Sequence, residues 1–262
     1  MPPRVPAPTL TEQVPPPDFL PELLTRLRAR YQPTLRPPRR FAEPLDGVIR
    51  VILAQQNTRA VAQRQWDTLR AVYPVWEAAH ADGPDGIEAT LRQAGGGLTR
   101  MKADYIYGVL AALEEDAGAL SLRPLRDLPD AEARAVLEGL QGVGQKTASL
   151  VLLMDLLRPA MPIDGNIERW SKRLELVPAK WNAGKVEHWF DAALPRDWET
   201  RYAFHLSGVL HGHETCKSQR PLCGECVLRE WCPSAALFLA GEEGAEGQKP
   251  PPKRGRGRGR RP

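Results

Sequence analysis

The spacing of apolar residues along the chain is helical almost throughout. From residue 18 to 238, apolar positions recur every three to four residues, and the strict alternation typical of strands is absent. Glycine and proline punctuate the segments, and no unit of 20 to 50 residues repeats. The pattern predicts an all-α protein with ten helices, over Asp18–Arg30, Leu45–Gln56, Ala60–Val72, Ile87–Ala94, Lys102–Glu115, Ala131–Leu140, Gln145–Leu157, Asn166–Leu174, Val186–Leu194 and Trp198–Gly212.

Both ends of the chain differ from this folded part. Residues 2–17 contain seven prolines, and residues 249–262 carry seven Lys or Arg side chains and no acid. The net charge of +4 therefore comes from the ends, because residues 41–248 hold 22 basic and 29 acidic side chains, a net charge of −7. We expect residues 1–17 and 239–262 to be disordered. The basic tail predicts contact with nucleic acid, with a solubilising role as the alternative.

Apolar runs are too short for a membrane span, since the longest, residues 150–157, is interrupted by Asp155. The first residues lack the apolar stretch of a secretory signal. We therefore expect a cytoplasmic protein, associated with the nucleoid if bacterial, without membrane contact or structural disulfides. A chain of this size needs no oligomer to bury a core, so we expect a monomer.

A cysteine cluster near the carboxyl end predicts a metal site. All four cysteines fall within seventeen residues in a C-x6-C-x2-C-x5-C spacing, at Cys216, Cys223, Cys226 and Cys232. Thiolates this close need a cation to share their charge. The spacing alone leaves zinc and an iron–sulfur cluster equally open, with disulfides or free thiols as a lesser alternative. Because four thiolates complete a site, the neighbouring histidines are expected to be packing residues: His205, His211 and His213.

A glycine-containing turn could bind a phosphate. Gly142-Val143-Gly144 separates an apolar helix end from a strongly helical run, so its N–H groups would join the positive end of the following helix. The alternative is a tight corner between two helices. Lys146 lies in the first turn of that helix, where the dipole opposes a cation, and an uncharged lysine amine can attack a sugar to form a Schiff base. Asp164 lies at a predicted helix N-cap and could also stabilise a cationic sugar.

These motifs occur in the order of a known family, and from about Phe41 to Cys232 the chain resembles endonuclease III, of the helix-hairpin-helix superfamily of DNA base-excision glycosylases. The resemblance rests on Leu140–Ala148 with its lysine, on Asp164 within Ile-Asp-Gly-Asn-Ile, and on the cysteine spacing. It implies a six-helix barrel domain, residues 45–157, beside a discontinuous iron–sulfur domain, residues 18–44 and 158–238. DNA would lie in the groove between them.

The resemblance also implies roles for individual residues. Lys146 matches the family's nucleophile and Asp164 its essential aspartate, while the four cysteines would hold a [4Fe-4S] cluster. Gly142 and Gly144 would bind a DNA phosphate, with a monovalent cation at the hairpin. Gln56 and Leu98 match the residues that fill the gap left by an expelled nucleotide; the alternatives are a polar helix end for Gln56 and a core position for Leu98. In the cysteine loop, Lys217 and Arg220 would face DNA.

The implied activity is that of a bifunctional glycosylase and abasic-site lyase, which removes oxidised pyrimidines such as thymine glycol from duplex DNA. One departure complicates this prediction. The family usually has Thr-His after the aspartate, whereas this chain has Gly165-Asn166, as in adenine-mismatch glycosylases. The alternatives are therefore a monofunctional mismatch glycosylase of the same fold and a DNA-damage-binding scaffold without catalysis.

Overall fold

The computed structural model describes residues 14–38 and 41–245, and this part of the chain is helical without any strand. Three 3-10 helices (Arg123–Arg126, Cys223–Glu225 and Arg229–Trp231) and a π-helical turn (His211–Thr215) accompany eleven α-helices. In this part of the chain none is long and apolar enough to cross a bilayer. The α-helices are α1 Leu20–Tyr31, α2 Pro44–Ala54, α3 Arg59–Val72, α4 Trp76–Ala94, α5 Thr99–Ala117, α6 Asp130–Gly139, α7 Gln145–Met154, α8 Gly165–Arg173, α9 Ala183–Ala193, α10 Trp198–Leu210 and α11 Pro233–Ala245.

At the start of several of these helices, a polar side chain accepts a hydrogen bond from an N–H group of the first turn. Thr58 accepts from Val61 N at the start of α3, Asn182 from Lys185 N at the start of α9, and Asp197 from Thr200 N at the start of α10. Such caps satisfy donors that the helix itself leaves without partners.

The helices enclose two hydrophobic cores. The first is built from buried residues between Leu45 and Ala160, joined by Tyr202 of α10. The second combines Leu20, Leu23 and Leu27 of α1 with buried residues from Met161 to Leu228. The amino-terminal helix therefore packs on the carboxyl-terminal half of the chain. The placement of domain boundaries at 45–157 and 158–238 stays a prediction.

The structure confirms the all-α fold but corrects several predicted boundaries. Between Trp76 and Ala94 two helical segments meet at a kink at Gly83, where φ is 75°. The helix predicted over Ile87–Ala94 lies in the second segment, and the first, which begins at the buried Trp76, was not predicted. The helix predicted to reach Leu157 ends at Met154, and Leu157 has a left-handed φ of 54°.

Both predicted tails, residues 1–17 and 239–262, include residues that the structure places in the folded part. The carbonyl of Val14 accepts a hydrogen bond from Trp189 Nε1 (2.6 Å), so the amino-terminal segment is anchored before position 18. No helix was predicted after Gly212, but α11 runs over Pro233–Ala245 and so passes the predicted end of the folded part at 238. Its first turn is held by Ser234 Oγ, which donates to the Arg173 carbonyl (2.9 Å). The remaining predicted tail residues, 1–13 and 246–262, lie outside the described residues.

Candidate active site and iron–sulfur centre

The hairpin between α6 and α7 depends on one of its glycines for its shape. Gly142 has a φ of 77°, a left-handed conformation, and a Cβ there would overlap the ring of Tyr105. Val143 between the glycines is buried and anchors the turn in the first core. Gly144 has an extended backbone, and a Cβ there would meet nothing within 4 Å. Gly142 is therefore required by the fold, whereas Gly144 faces open space where a ligand could approach.

Helix α7 presents its positive end and its lysine at this open space. No side chain caps the helix, so its first-turn N–H groups are not satisfied in that way. Lys146 is the second residue of α7 and its side chain is exposed, whereas Thr147, Ala148 and Ser149 behind it are buried. The buried side chains fix the helix, and the lysine is left accessible.

Asp164 caps α8, as predicted, and remains half-buried. Its Oδ1 accepts from Asn166 N (3.0 Å) and Ile167 N (2.8 Å), while Oδ2 accepts from the Asn166 side-chain amide (2.8 Å). These three hydrogen bonds fix the orientation of the carboxylate. A carboxylate held this way can face a developing positive charge without rearranging.

Helix α10 brings the two candidate catalytic groups together. It packs against both α7 and α8. Its buried His205 shares a hydrogen bond with the Pro162 carbonyl (Nδ1 to O, 3.0 Å). Burial lowers the pKa of His205, while the charges of Asp164 and Lys146 raise and lower it respectively. Both charged groups are thus close enough to this buried side chain to act on it electrostatically, although eighteen residues separate them in sequence.

An arginine connects the aspartate's helix to the cysteine segment. Arg169 Nη2 donates to Asn166 Oδ1 (2.9 Å) and to the Gly212 carbonyl (2.6 Å), and its Nε donates to the Cys216 carbonyl (3.0 Å). Gly212 is pressed against Asn166, because a Cβ there would overlap the Asn166 side chain. The residue at which this sequence departs from the family pattern is therefore in direct contact with the segment that leads into the cysteines.

The four cysteines line one pocket, of about 410 Å³ including the part that opens to solvent. Burial and then the three neighbouring sulfurs raise the pKa of Cys226 to about 11, and burial also raises the pKa of Cys232. The ionised form therefore needs a cationic group in the pocket. In the described part of the chain, no three His, Cys, Asp or Glu side chains converge closely enough to hold a single metal ion. Four cysteine sulfurs around one pocket are a donor set that suits an iron–sulfur cluster, as it also suits zinc.

The loop after the first cysteine is braced from α8. Arg173 donates through Nη1 to the Lys217 carbonyl (2.6 Å) and through Nη2 to the Ser218 carbonyl (2.9 Å). Both Lys217 and Arg220 have exposed side chains, and Arg220 has a left-handed φ of 48°. The loop thus holds two cations at the surface, but no contact joins them to Lys146 or Asp164.

The histidines upstream of the cysteines behave largely as predicted. His205 and His211 are buried, and His213 is exposed. Tyr31 of α1 connects His211 to the cysteine segment, since its hydroxyl is hydrogen-bonded to His211 Nδ1 (3.0 Å) and Thr215 Oγ1 (2.7 Å). Burial lowers the pKa of His211 to about 4, which keeps the ring neutral near pH 7.

The two predicted gap-filling residues lie on separate loops with unusual backbones. Gln56 follows the end of α2, is exposed and has a φ of 52°. Leu98 immediately precedes α5, is 39% exposed and has a φ of 58°. The alternative placement of Leu98 in the core is therefore wrong. Both residues are presented at the surface in left-handed conformations that side chains seldom adopt.

Sequence reasoning missed the residues that hold these loops. Gln55 Nε2 donates to the Gly142 carbonyl (3.1 Å), so the end of α2 contacts the hairpin directly. Asn57, Gln65 and Lys102 join the Gln56 loop to the Leu98 loop through hydrogen bonds. The available signal was a polar or charged residue at a position where helical spacing places the core, as for Gln65 and Lys102.

Comparison with known proteins agrees with this arrangement. Residues 216–232 match the family described as the iron-sulfur binding domain of endonuclease III. Endonuclease III of Escherichia coli is 30% identical over 211 residues, covering 80% of this chain and 93% of that protein. Endonuclease III of Bacillus subtilis is 31% identical over 192 residues, covering 73% of this chain and 81% of that protein.

A solved structure extends the likeness to three dimensions. It contains a trapped covalent intermediate of endonuclease III with DNA, superposes with a TM-score of 0.71 at 26% identity, and covers 84% of this chain and 96% of that one. A helix-hairpin-helix fold, an exposed lysine, a helix-capping aspartate and four pocket-lining cysteines are thus combined in one chain. Together with these relatives, they show that the chain belongs to the endonuclease III family of DNA glycosylases and has the cysteine set of a [4Fe-4S] cluster.

Proposed function

We propose that this DNA glycosylase is bifunctional, removing oxidised pyrimidines such as thymine glycol from duplex DNA and then cleaving the abasic site. The observation that carries the proposal is that exposed Lys146 and half-buried Asp164, on helices that both pack against α10, each act electrostatically on buried His205. A primary amine and a fixed carboxylate are the two groups that base displacement by a lysine requires. The protein in the matching solved structure was trapped as a covalent intermediate with DNA.

In the first step, the neutral amine of Lys146 attacks C1′ of the expelled nucleoside. The bond from C1′ to the base breaks, and the base leaves with its bonding electrons and takes up a proton. Positive charge develops on the sugar as this bond lengthens. Asp164 stabilises that charge, because three hydrogen bonds already fix the orientation of its carboxylate.

In the second step, loss of the ring oxygen bond converts the amine adduct to a Schiff base between Lys146 and the opened sugar. The iminium acidifies the C2′ proton, and its removal expels the 3′ phosphate by β-elimination. Water then hydrolyses the remaining Schiff base and releases the lysine. An exposed lysine at the start of a helix suits these reaction steps, because the buried residues around it need not move when the adduct forms and breaks down.

Several surfaces around these residues would hold the DNA. The open side of Gly144 and the uncapped start of α7 offer N–H groups to a backbone phosphate, with a monovalent cation at the hairpin. Lys217 and Arg220 would contact the DNA backbone from the cysteine loop. The cluster, held by the four cysteines, would serve as a structural centre that shapes this loop. Gln56 and Leu98 would fill the gap left by the expelled nucleotide.

A monofunctional glycosylase is the second candidate, and Asn166 is the observation that favours it. Its amide occupies one oxygen of Asp164, and its own oxygen is held by Arg169. In this alternative, Asp164 and Asn166 would assist a water molecule rather than Lys146, and the product would be an intact strand with an abasic site.

Borohydride trapping on duplexes with thymine glycol or an abasic site separates the candidates. Wild type should form a covalent adduct and nick the strand without alkali, and Lys146→Ala should do neither while keeping its thermal stability, since the side chain is exposed. Lys180→Ala, which removes another exposed lysine, is the matched control. Base release with no adduct would favour the monofunctional enzyme, and damage binding without either product would favour a scaffold.

A further inference from the structure

A buried polar network joins the two loops that carry Gln56 and Leu98. The Leu53 carbonyl, in the last turn of α2, accepts hydrogen bonds from Lys102 Nζ (2.9 Å) and from the Asn57 side-chain amide (2.9 Å). Lys102 belongs to the first turn of α5, directly after Leu98. One carbonyl oxygen therefore connects the segment before Gln56 with the helix that follows Leu98.

The side chain of Asn57 makes the second connection. Its amide also donates to Gln65 Oε1 (2.8 Å), and its oxygen accepts from the backbone N–H of Gly97 (3.4 Å). Gln65 in turn donates to the Gly95 carbonyl (2.8 Å). The glycine loop before Leu98 is thus held at both ends by side chains from α3 and from the loop that follows α2.

Gly96 shows how tightly this loop is seated. Its φ is 105°, and a Cβ there would overlap Val61 and come within 2.9 Å of Gln65 Nε2. The loop therefore lies directly on the polar network, with no room for a larger residue. Displacing any one of the network's side chains would free the loop to move.

Stability alone does not account for these side chains. Lys102 and Gln65 are fully buried, and burial lowers the pKa of the Lys102 ammonium. A buried ammonium with a single carbonyl partner among the described residues is a costly way to fill a core position. Backbones in left-handed conformations, as at Gln56 and Leu98, also persist only where their surroundings hold them.

We infer that Lys102, Asn57 and Gln65 are positioning residues that hold Gln56 and Leu98 together in the conformation that fills the gap left by an expelled base. The inference rests on the proposed function only in assigning Gln56 and Leu98 to the gap. Expelling a paired base is costly, and preformed gap-filling residues reduce that cost because they need no ordering at the moment of expulsion. An abasic nucleotide has no base to expel, so its processing should depend less on the network.

The test compares single-turnover rates on one duplex sequence that carries either thymine glycol opposite adenine or an abasic site. Lys102→Met and Asn57→Ala should lower the rate on thymine glycol about tenfold, a barrier increase of about 1.4 kcal/mol. Both variants should stay within about twofold of wild type on the abasic site. Leu98→Ala, which shortens the proposed gap-filling side chain itself, should show the same selective loss.

Two control variants separate positioning from general damage to the fold. Lys180→Met makes the same lysine-to-methionine change at an exposed position. Asn182→Ala removes a helix cap that is far from these loops in sequence. Neither should change the ratio of the two rates. In Lys102→Met the Leu53 carbonyl keeps its bond from Asn57, so the variant should fold. If Lys102→Met does not fold, Asn57→Ala tests the same network independently.

A fluorescence measurement tests the inference without chemistry. With 2-aminopurine opposite thymine glycol, wild type should increase the fluorescence in the first phase after mixing, before base release, as the lesion is expelled and the probe unstacks, and Lys102→Met should give a smaller increase. Equal rate losses on both substrates, or an unchanged fluorescence response, would overturn the inference. If wild type released no base and formed no nick, the proposed function would fail, and the fluorescence comparison would still decide the positioning role.

Discussion

The two hairpin glycines should respond to the same substitution in opposite ways. At Gly142 an alanine must adopt a φ of 77° and place its methyl group in the ring of Tyr105. At Gly144 the backbone is extended, and the new methyl group would meet no protein atom within 4 Å. Gly142→Ala should therefore destabilise the folded protein, whereas Gly144→Ala should weaken only the binding of a ligand, such as DNA, at the hairpin.

The expected magnitudes follow from these geometries. A left-handed conformation costs an L-residue about 1–2 kcal/mol, and an overpacked side chain costs a further 1–3 kcal/mol or so. For Gly142→Ala we expect a loss of about 3 kcal/mol, which lowers the melting temperature by roughly 10 °C in a protein of this size. Gly144→Ala should cost less than about 1 kcal/mol, the difference between glycine and alanine as a helix cap.

Thermal unfolding and DNA binding together make the assay. Melting temperatures give the stability of both variants, and fluorescence anisotropy with a duplex containing an abasic analogue gives the dissociation constant. Gly144→Ala should raise that constant about tenfold, because its methyl group would separate the N–H groups from the phosphate. Equal losses of stability in the two variants would refute the argument from strain at Gly142. Unchanged DNA binding by Gly144→Ala would show that the hairpin does not contact a phosphate.

Two further predictions concern the core and the metal site. Burial raises the pKa of Glu187 to about 7 from 4.5. Between these two pH values the folded protein holds a proton that the unfolded chain releases. The free energy of unfolding should therefore fall by roughly 3 kcal/mol as the pH rises from about 4.5 to about 7. In the wild type the Ser149 hydroxyl donates a hydrogen bond to the Glu187 carboxylate (2.5 Å), and the amide oxygen of Glu187→Gln can still accept it. Urea unfolding at several pH values should show a weaker dependence of stability on pH for this variant. An unchanged pH dependence would contradict the assignment of the effect to Glu187. Cys226→Ser removes one sulfur from the pocket, so the amounts of iron and sulfide bound per chain should fall and the melting temperature should drop. A full iron content in this variant would exclude Cys226 as a ligand.

Much of the chemistry was predictable from short segments of sequence. The hairpin glycines with Lys146, the capping Asp164 and the cysteine spacing are all local patterns, and a local pattern fixes local geometry. The start of α10 was predictable for the same reason, since its cap Asp197 bonds to an N–H group only three residues away. The least predictable element was the first half of α4, because Gly83 interrupts it and the helix is defined by the burial of Trp76.

Tertiary structure alone decided how these pieces meet. The network of Asn57, Gln65 and Lys102 joins segments about forty to fifty residues apart, and helical periodicity carries no information about which distant carbonyl a buried polar side chain will reach. The same is true of Arg169, whose contacts with Gly212 and Cys216 connect the aspartate's helix to the cysteines. By itself, then, the sequence determined which functional groups this glycosylase has and on which helix ends they lie. Their mutual placement depended on the packing of the two cores, because burial leaves each polar group only the partners that the fold brings within reach.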